Sequence, residues 1–314
     1  MSLSITRLSK RTNNKWLFRD VSLKIDNGEI FGVFGPTGSG KSSLLRTLSG
    51  IGRPAGGTME FDGSDGKDRL YLDNGETSFF GSLFGKKIDS PGLHQARALE
   101  NTLRKMPRVL LLDSALSEMD AGMRTEMFDR IRLAVRQSGG IAIFASGDFE
   151  QILEFCDRAA VLIDGAVTQA GTPQEIYDSP ADRRTASIAG RNNIFLARRL
   201  TSSKAVLPEF LTIKGEHRLF SQKAELGSLG AINKDTSLMI RPENITIAFG
   251  ASFPEDNLLK ATVTGTLPRG ATTIVQLDSN GLALEAMVLR LVGLDVGDEC
   301  MIGLPPERIR VLAN

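Results

Sequence analysis

The chain of 314 residues is about twice the roughly 100–200 residues of one domain, so two domains with separate cores are expected. Its residues are 41% hydrophobic and 24% charged, with 38 Lys and Arg against 37 Asp and Glu, a globular composition that excludes nucleic-acid binding driven by bulk charge. Cys156 and Cys300 stand far apart without ligand spacing, so neither a disulfide framework nor a zinc site is expected, and a reducing compartment fits.

The first residues, MSLSITRLSKRTNNK, are polar and basic with no apolar centre. No later apolar run approaches the roughly 18 residues that span a bilayer, so the chain is expected neither to enter nor to cross a membrane unaided. As far as about residue 189, strand-like runs (EIFGVF at 29–34, RVLLLD at 108–113, IAIFAS at 141–146) alternate with helical patterns. That alternation predicts an α/β fold with a largely parallel sheet flanked by helices. The clearest helix spans 120–137, with Asp120 as N-cap and Met123, Met127, Phe128, Ile131 and Val135 along one stripe. Another starts at Thr172, where Thr-Pro-Gln-Glu forms a capping box with proline at the first helical position.

After Asn192 helical periodicity fades. Short runs (FLTIK, SLMI, NITIAF, LKATVTG, TTIVQL, RIRVL) alternate with Gly, Pro and Asn, which predicts a small all-β barrel domain over 193–314 behind an α/β domain over 1–192. Asn280-Gly281 between two such runs signals a hairpin, since both residues tolerate the positive φ angles of a type I′ turn.

The strongest chemical signal is Gly35-Pro36-Thr37-Gly38-Ser39-Gly40-Lys41-Ser42-Ser43, a G-x-x-x-x-G-K-S run placed after a strand and before a helical segment. Glycines let the backbone curl until its N–H groups point inward, and the helix start adds positive partial charge, so the loop is expected to cradle phosphates. Lys41 is expected to reach the β and γ phosphates of ATP. Ser42 is a candidate Mg²⁺ ligand, and Asp113 at the end of VLLLD a candidate carboxylate beside that ion. His94 and His217 lack ligand-spaced partners, and Arg53, Arg183 and Arg184 read as solvated surface charge. Glu118 and Asp120 could face a partner, although capping is the safer role for Asp120.

These motifs resemble the ATP-binding subunits of ABC transporters, of the importer type with a C-terminal TOBE, or OB-like, regulatory domain. Beside the Walker A loop, VLLLDSALSEMD resembles the Walker B and D-loop region, DRAAVLIDGAVTQAGTPQEIYDSPADR the segment after the switch histidine, and LMIRPENI the entry to the TOBE domain. The resemblance implies bound ATP and Mg²⁺ held by residues 35–43 and Asp113, transmembrane permease subunits as partners, and a peripheral place on the cytoplasmic face of the cell membrane.

Where the family has its catalytic glutamate this chain has Ser114, and where the family has its switch histidine it has Gly147. The signature position falls on Asp89-Ser90-Pro91-Gly92-Leu93, the Q-loop glutamine on Asn74, and the adenine-stacking aromatic on Thr12, with Trp16 nearby. Pro91 lacks an N–H, and Asp89 brings negative charge towards an anion. Only 14 residues lie between Asn74 and Asp89; as an average helix takes about 11–12, the helical subdomain that docks on the permease does not fit there. The cluster Phe79, Phe80, Leu83 and Phe84 in that gap reads as core packing or as an exposed patch for a membrane partner. The expectation is a subunit that hydrolyses ATP slowly or not at all, paired with a second, intact ATP-binding subunit; the alternatives are a nucleotide-dependent regulator or scaffold outside transport, and, less well matched, another P-loop transferase.

Overall fold

The structure, a computed structural model, describes residues 2–62, 69–73, 90–200, 207–222, 231–248, 257–289 and 293–313. They form two compact units, Met1–Asp178 and Ser179–Asn314. The first runs β1 (Leu3–Thr12), β2 (Lys15–Ile25), β3 (Ile30–Phe34), α1 (Lys41–Leu48), β4 (Gly56–Phe61), β5 (Arg69–Asp73), α2 (Pro91–Leu103), β6 (Val109–Asp113), α3 (Ala121–Ser138), β7 (Ile141–Ser146), α4 (Phe149–Phe155), β8 (Arg158–Ile163), β9 (Ala166–Gly171) and α5 (Pro173–Asp178).

Six strands form one sheet in the order β5-β6-β7-β3-β8-β9, parallel except for the antiparallel β8–β9 pair at one edge. Strands β3, β6 and β7 are buried at every position, as strands covered on both faces must be, which is why their sequences run apolar without alternation. On one face Leu44, Leu45 and Leu48 of α1 share a core with Leu3, Leu8, Phe18 and Val21 from the antiparallel sheet β2-β1-β4. On the other, Phe128 of α3 lies edge-on to Phe144, 5.0 Å between ring centroids, and stacked on Phe155 of α4 at 3.5 Å. The α3 cap is the expected one: the Asp120 side chain accepts a hydrogen bond from the Met123 N–H at 2.9 Å. At α5 the capping box closes, the Glu175 N–H donating to Thr172 Oγ1 at 3.2 Å and the Thr172 N–H to Glu175 Oε2 at 2.8 Å.

The second unit contains α6 (Arg183–Ile188), β10 (Asn193–Arg199), β11 (Glu209–Thr212), β12 (Arg218–Phe220), β13 (Asp235–Ile240), β14 (Thr246–Ala248), β15 (Asn257–Arg269), β16 (Thr272–Ser279), β17 (Leu282–Val288), β18 (Glu299–Leu304) and β19 (Arg310–Leu312). Two five-stranded antiparallel sheets, β12-β11-β10-β13-β19 and β14-β18-β15-β16-β17, enclose a single core. Alternate residues fill it, among them Leu259, Ala261 and Val263 from β15 and Leu282, Leu284 and Ala286 from β17, the period-2 pattern of strands wetted on one face. Asn280 and Gly281 join β16 to β17 with φ values of 51° and 85°, as the hairpin signal requires. Helix α6 belongs with the strands of this unit although it precedes Asn192, because Ala186 clusters with Met239 and Leu312. Among the described residues no helix is long and apolar enough to cross a membrane.

Candidate functional site

The site is built at the carboxyl ends of three adjacent parallel strands. Register aligns Phe34 of β3 with Ser146 of β7, and Ala145 of β7 with Asp113 of β6, so the loop after β3, the Ser146-Gly147 step and the Asp113-Ser114 step open on one edge, where ligands of open α/β sheets bind. The loop 35–40 then turns into α1 with Gly40 at its N-cap. Gly38 and Gly40 have φ of 80° and 104°, values that side chains strain to adopt. A Cβ on Gly35 would lie 2.1 Å from the Leu162 carbonyl oxygen, and one on Gly40 2.3 Å from that of Leu17. Glycine is therefore demanded by packing as well as by the turn.

Lys41, at the first turn of α1, donates through Nζ to the carbonyl oxygens of Gly35 at 2.7 Å and Pro36 at 2.9 Å, folding its ammonium over its own loop. Burial pulls its pKa down, and the carboxylate of Asp113 opposes that shift. Ser42 donates its hydroxyl to Asp113 Oδ1 at 3.1 Å. Asp113, Ser39, Gly40, Lys41 and Ser42 thus come together as the spacing predicts, with Gly38 and Ser43 lining the same cavity. This cavity, of about 430 Å³, also holds Lys15, Trp16, Leu17, Asp164 and Gly165 along its walls. Trp16, not Thr12, stands on its edge; the residue is 44% exposed, with the guanidinium groups of Arg19 and Arg11 at 5.4 and 6.0 Å from its ring centroid.

Two participants escape the sequence motifs. Tyr71 of β5 donates its hydroxyl to Asp113 Oδ2 at 2.9 Å, and Arg46 of α1 donates Nε to the same hydroxyl at 3.2 Å while its Nη2 lies 3.4 Å from Asp73 Oδ2. Burial, ahead of the neighbouring charges, pushes the Tyr71 phenol up to about 12, so it keeps its proton at neutral pH. The one signal in the sequence is that Arg46 lies on the helix that follows the loop; that Tyr71 stands on the strand beside Asp113 is a fact of sheet order alone.

Ser114 and Gly147 line one small cavity of about 210 Å³ together with Ser117, Ser146, Asp148 and Gln151. Ser114 has a φ of 53° and its N–H donates to the Ala145 carbonyl. The carboxylate in that cavity, Asp148, is engaged at both oxygens: Oδ1 caps α4 by accepting from the Glu150 N–H at 2.9 Å and Oδ2 accepts from Gln151 Nε2 at 3.2 Å. Of the signature-position residues, Ser90 is the N-cap of α2 and accepts from the Leu93 N–H at 3.4 Å, with Pro91 next and Gly92 packed so that a Cβ would lie 2.5 Å from the Glu118 carbonyl. Asp89, Asn74 and the cluster Phe79, Phe80, Leu83 and Phe84 lie outside the described residues. His217 is a packed histidine whose Nε2 contacts the Ser279 carbonyl at 2.9 Å, and Asp120 serves as a cap.

A glycine cradle at a helix start, a lysine within it, and a hydroxyl bonded to a strand-end carboxylate define a P-loop nucleotide-binding protein. The hard oxygens of Ser42 and Asp113 suit Mg²⁺, and the cavity and lysine suit a nucleoside triphosphate. Residues 18–82 match the ABC transporter family and residues 238–312 the TOBE domain. The sulfate/thiosulfate import ATP-binding protein CysA of Bacillus cereus is 28% identical over 63% of this chain and 69% of its own. That of Rhodopseudomonas palustris is 25% identical over 100% of both chains. A solved ATP-binding cassette of an ABC transporter in its ADP conformation superposes with a TM-score of 0.47 at 15% identity, covering 60% of this chain and 98% of the other. The two family matches and both relatives support an ATP-binding subunit of an ABC importer with a C-terminal TOBE domain, consistent with an ABC-type α/β unit followed by an OB-like β unit.

Proposed function

We propose that this subunit grips Mg·ATP at residues 35–43 and Asp113 but hydrolyses it slowly or not at all, and that it works beside a second, intact ATP-binding subunit on membrane permease subunits, at the cytoplasmic face of the cell membrane. The cargo in this reading is sulfate or thiosulfate, the import named for both relatives. Loop N–H groups and Lys41 hold the phosphates, Ser42 and Asp113 hold the ion, and Trp16 stacks on the base. Bound Mg²⁺ would neutralise phosphate charge. What supports impaired hydrolysis is the Ser114–Gly147 cavity: among the described residues its lining holds hydroxyls and the helix-capping Asp148, and neither a glutamate nor a histidine to take a proton from water. Lack of a general base lowers rates by about 10²- to 10⁴-fold. Because a homodimer would repeat the defect at both sites, a heterodimer is favoured.

The test joins titration with phosphate release from the purified chain. The expected result is saturable Mg²⁺-dependent ATP binding, abolished by Lys41→Ala, with turnover near background. Ser114→Glu should leave turnover low, since Gly147 and the altered residues 89–93 remain. Brisk release by the unmodified chain, or no retention of ATP at millimolar concentration, overturns the reading.

A further inference from the structure

We infer that Tyr71 is a positioning residue for the divalent cation at Ser42 and Asp113, and that Arg46 sets the direction of its hydroxyl; this rests on the nucleotide-binding reading above. The argument is one of donors and acceptors. The guanidinium of Arg46 can only donate, and it donates Nε to the Tyr71 oxygen at 3.2 Å. The single phenolic proton is therefore left for Asp113, whose Oδ2 it meets at 2.9 Å. On the other side the Ser42 hydroxyl directs its own proton to Asp113 Oδ1 at 3.1 Å. Each carboxylate oxygen is thus held from a different element, Oδ1 from α1 and Oδ2 from β5, and the carboxylate plane is set before any ligand arrives.

Two consequences follow for the cation. With its proton turned to Asp113, Ser42 keeps the lone pairs of Oγ for a metal. Asp113, fixed at Oδ2 by Tyr71, cannot rotate away from Ser42 without breaking a bond in a half-buried setting, and Arg46, tied also to Asp73 at 3.4 Å, keeps the phenol from swinging out. The β5–β6 register, which pairs Asp73 with Asp113, is what brings Tyr71 within reach. Tyr71 also packs against the core beneath α1. Tyr71→Phe keeps that packing and removes the hydroxyl alone.

The experiment measures ATP affinity of the purified full chain across a series of free Mg²⁺ concentrations and again in excess EDTA. Removing groups that orient a metal-binding carboxylate typically weakens metal affinity by about 10- to 100-fold. For Tyr71→Phe the expected result is a Mg²⁺ midpoint raised by about 10-fold with metal-free ATP affinity unchanged. Arg46→Met should move the midpoint in the same direction by less, and it carries the same test if Tyr71→Phe does not fold. An unchanged Mg²⁺ midpoint in both variants, or equal weakening with and without Mg²⁺, overturns the role of Tyr71. If the parent chain binds no ATP, the nucleotide reading falls and takes this inference with it; parent binding with unmoved midpoints sinks the Tyr71 role alone.

Discussion

At the scale of single residues, matches and mismatches to the expected chemistry are unevenly distributed. Ser114 and Gly147 lack the chemistry expected of their positions, whereas Lys41, Ser42 and Asp113 keep both identity and mutual geometry. The aromatic wall is an intermediate case. Thr12 offers no ring, but the β1–β2 hairpin pairs Thr12 with Lys15, and the next residue, Trp16, reaches the cavity edge. Its indole, attended by Arg11 and Arg19, is rich enough in electrons to stack on a purine while the guanidinium groups stay close. Trp16→Ala should lower ATP affinity by about fivefold, equivalent to about 1 kcal/mol of stacking, and leave the binding of inorganic triphosphate unaltered. Competitive titration with both ligands checks it. Equal loss for both would mean that Trp16 supports the loop and not the base.

At the scale of elements, legibility followed covalent proximity. Strands β3, β6 and β7 and the start of α1 could be read because uninterrupted apolar runs end in the very residues that carry the chemistry, so pattern and motif coincide. The caps at Asp120 and Thr172 are local bonds and were equally visible. Tyr71 and Arg46 were not, since the contact joining them to Asp113 depends on which strand lies beside β6, a long-range fact that no window of sequence contains. Strand β12 was hidden for a different reason: only Leu219 of its three residues is buried, too little for alternation to register, whereas the equally short β14 and β19 sit inside the longer runs NITIAF and RIRVL. Helix α3 allows a direct measure of packing. Phe128 is fully buried between Phe144 and Phe155, and truncating such a ring costs about 3–5 kcal/mol. Trp16 is the chain's one tryptophan, so fluorescence during denaturant unfolding follows the first unit, and Phe128→Ala should move that transition to markedly lower denaturant. A midpoint that stays put would show the ring cluster to be dispensable.

For the whole molecule, the two units each carry a complete core, the first around the six-stranded sheet and the second between two five-stranded sheets. The change of texture after Asn192 agrees with an all-β end, but α6, six residues that stand before that change, packs into the β-rich unit. A rule that assigns helices to one domain and strands to the next fails there, because Ala186 needs the apolar cover that Met239 and Leu312 provide. Transport and regulation predict different company. If the chain serves a permease, affinity capture of the full chain from detergent-solubilised membranes should retain transmembrane subunits and a second ATP-binding subunit, identified by mass spectrometry. Recovery with cytosolic proteins alone, and no membrane component, would favour the regulator or scaffold.

The carbonyl of Leu17 sits within 3 Å of where side chains at both Gly40 and Gly165 would begin, and the carbonyl of Leu162 closes on Gly35 in the same manner. Main chain cannot step aside as a flexible side chain can. The phosphate nest therefore has no half-measures: the first methyl group added at Gly35 collides with the main chain of β8, and one added at Gly40 with that of β2.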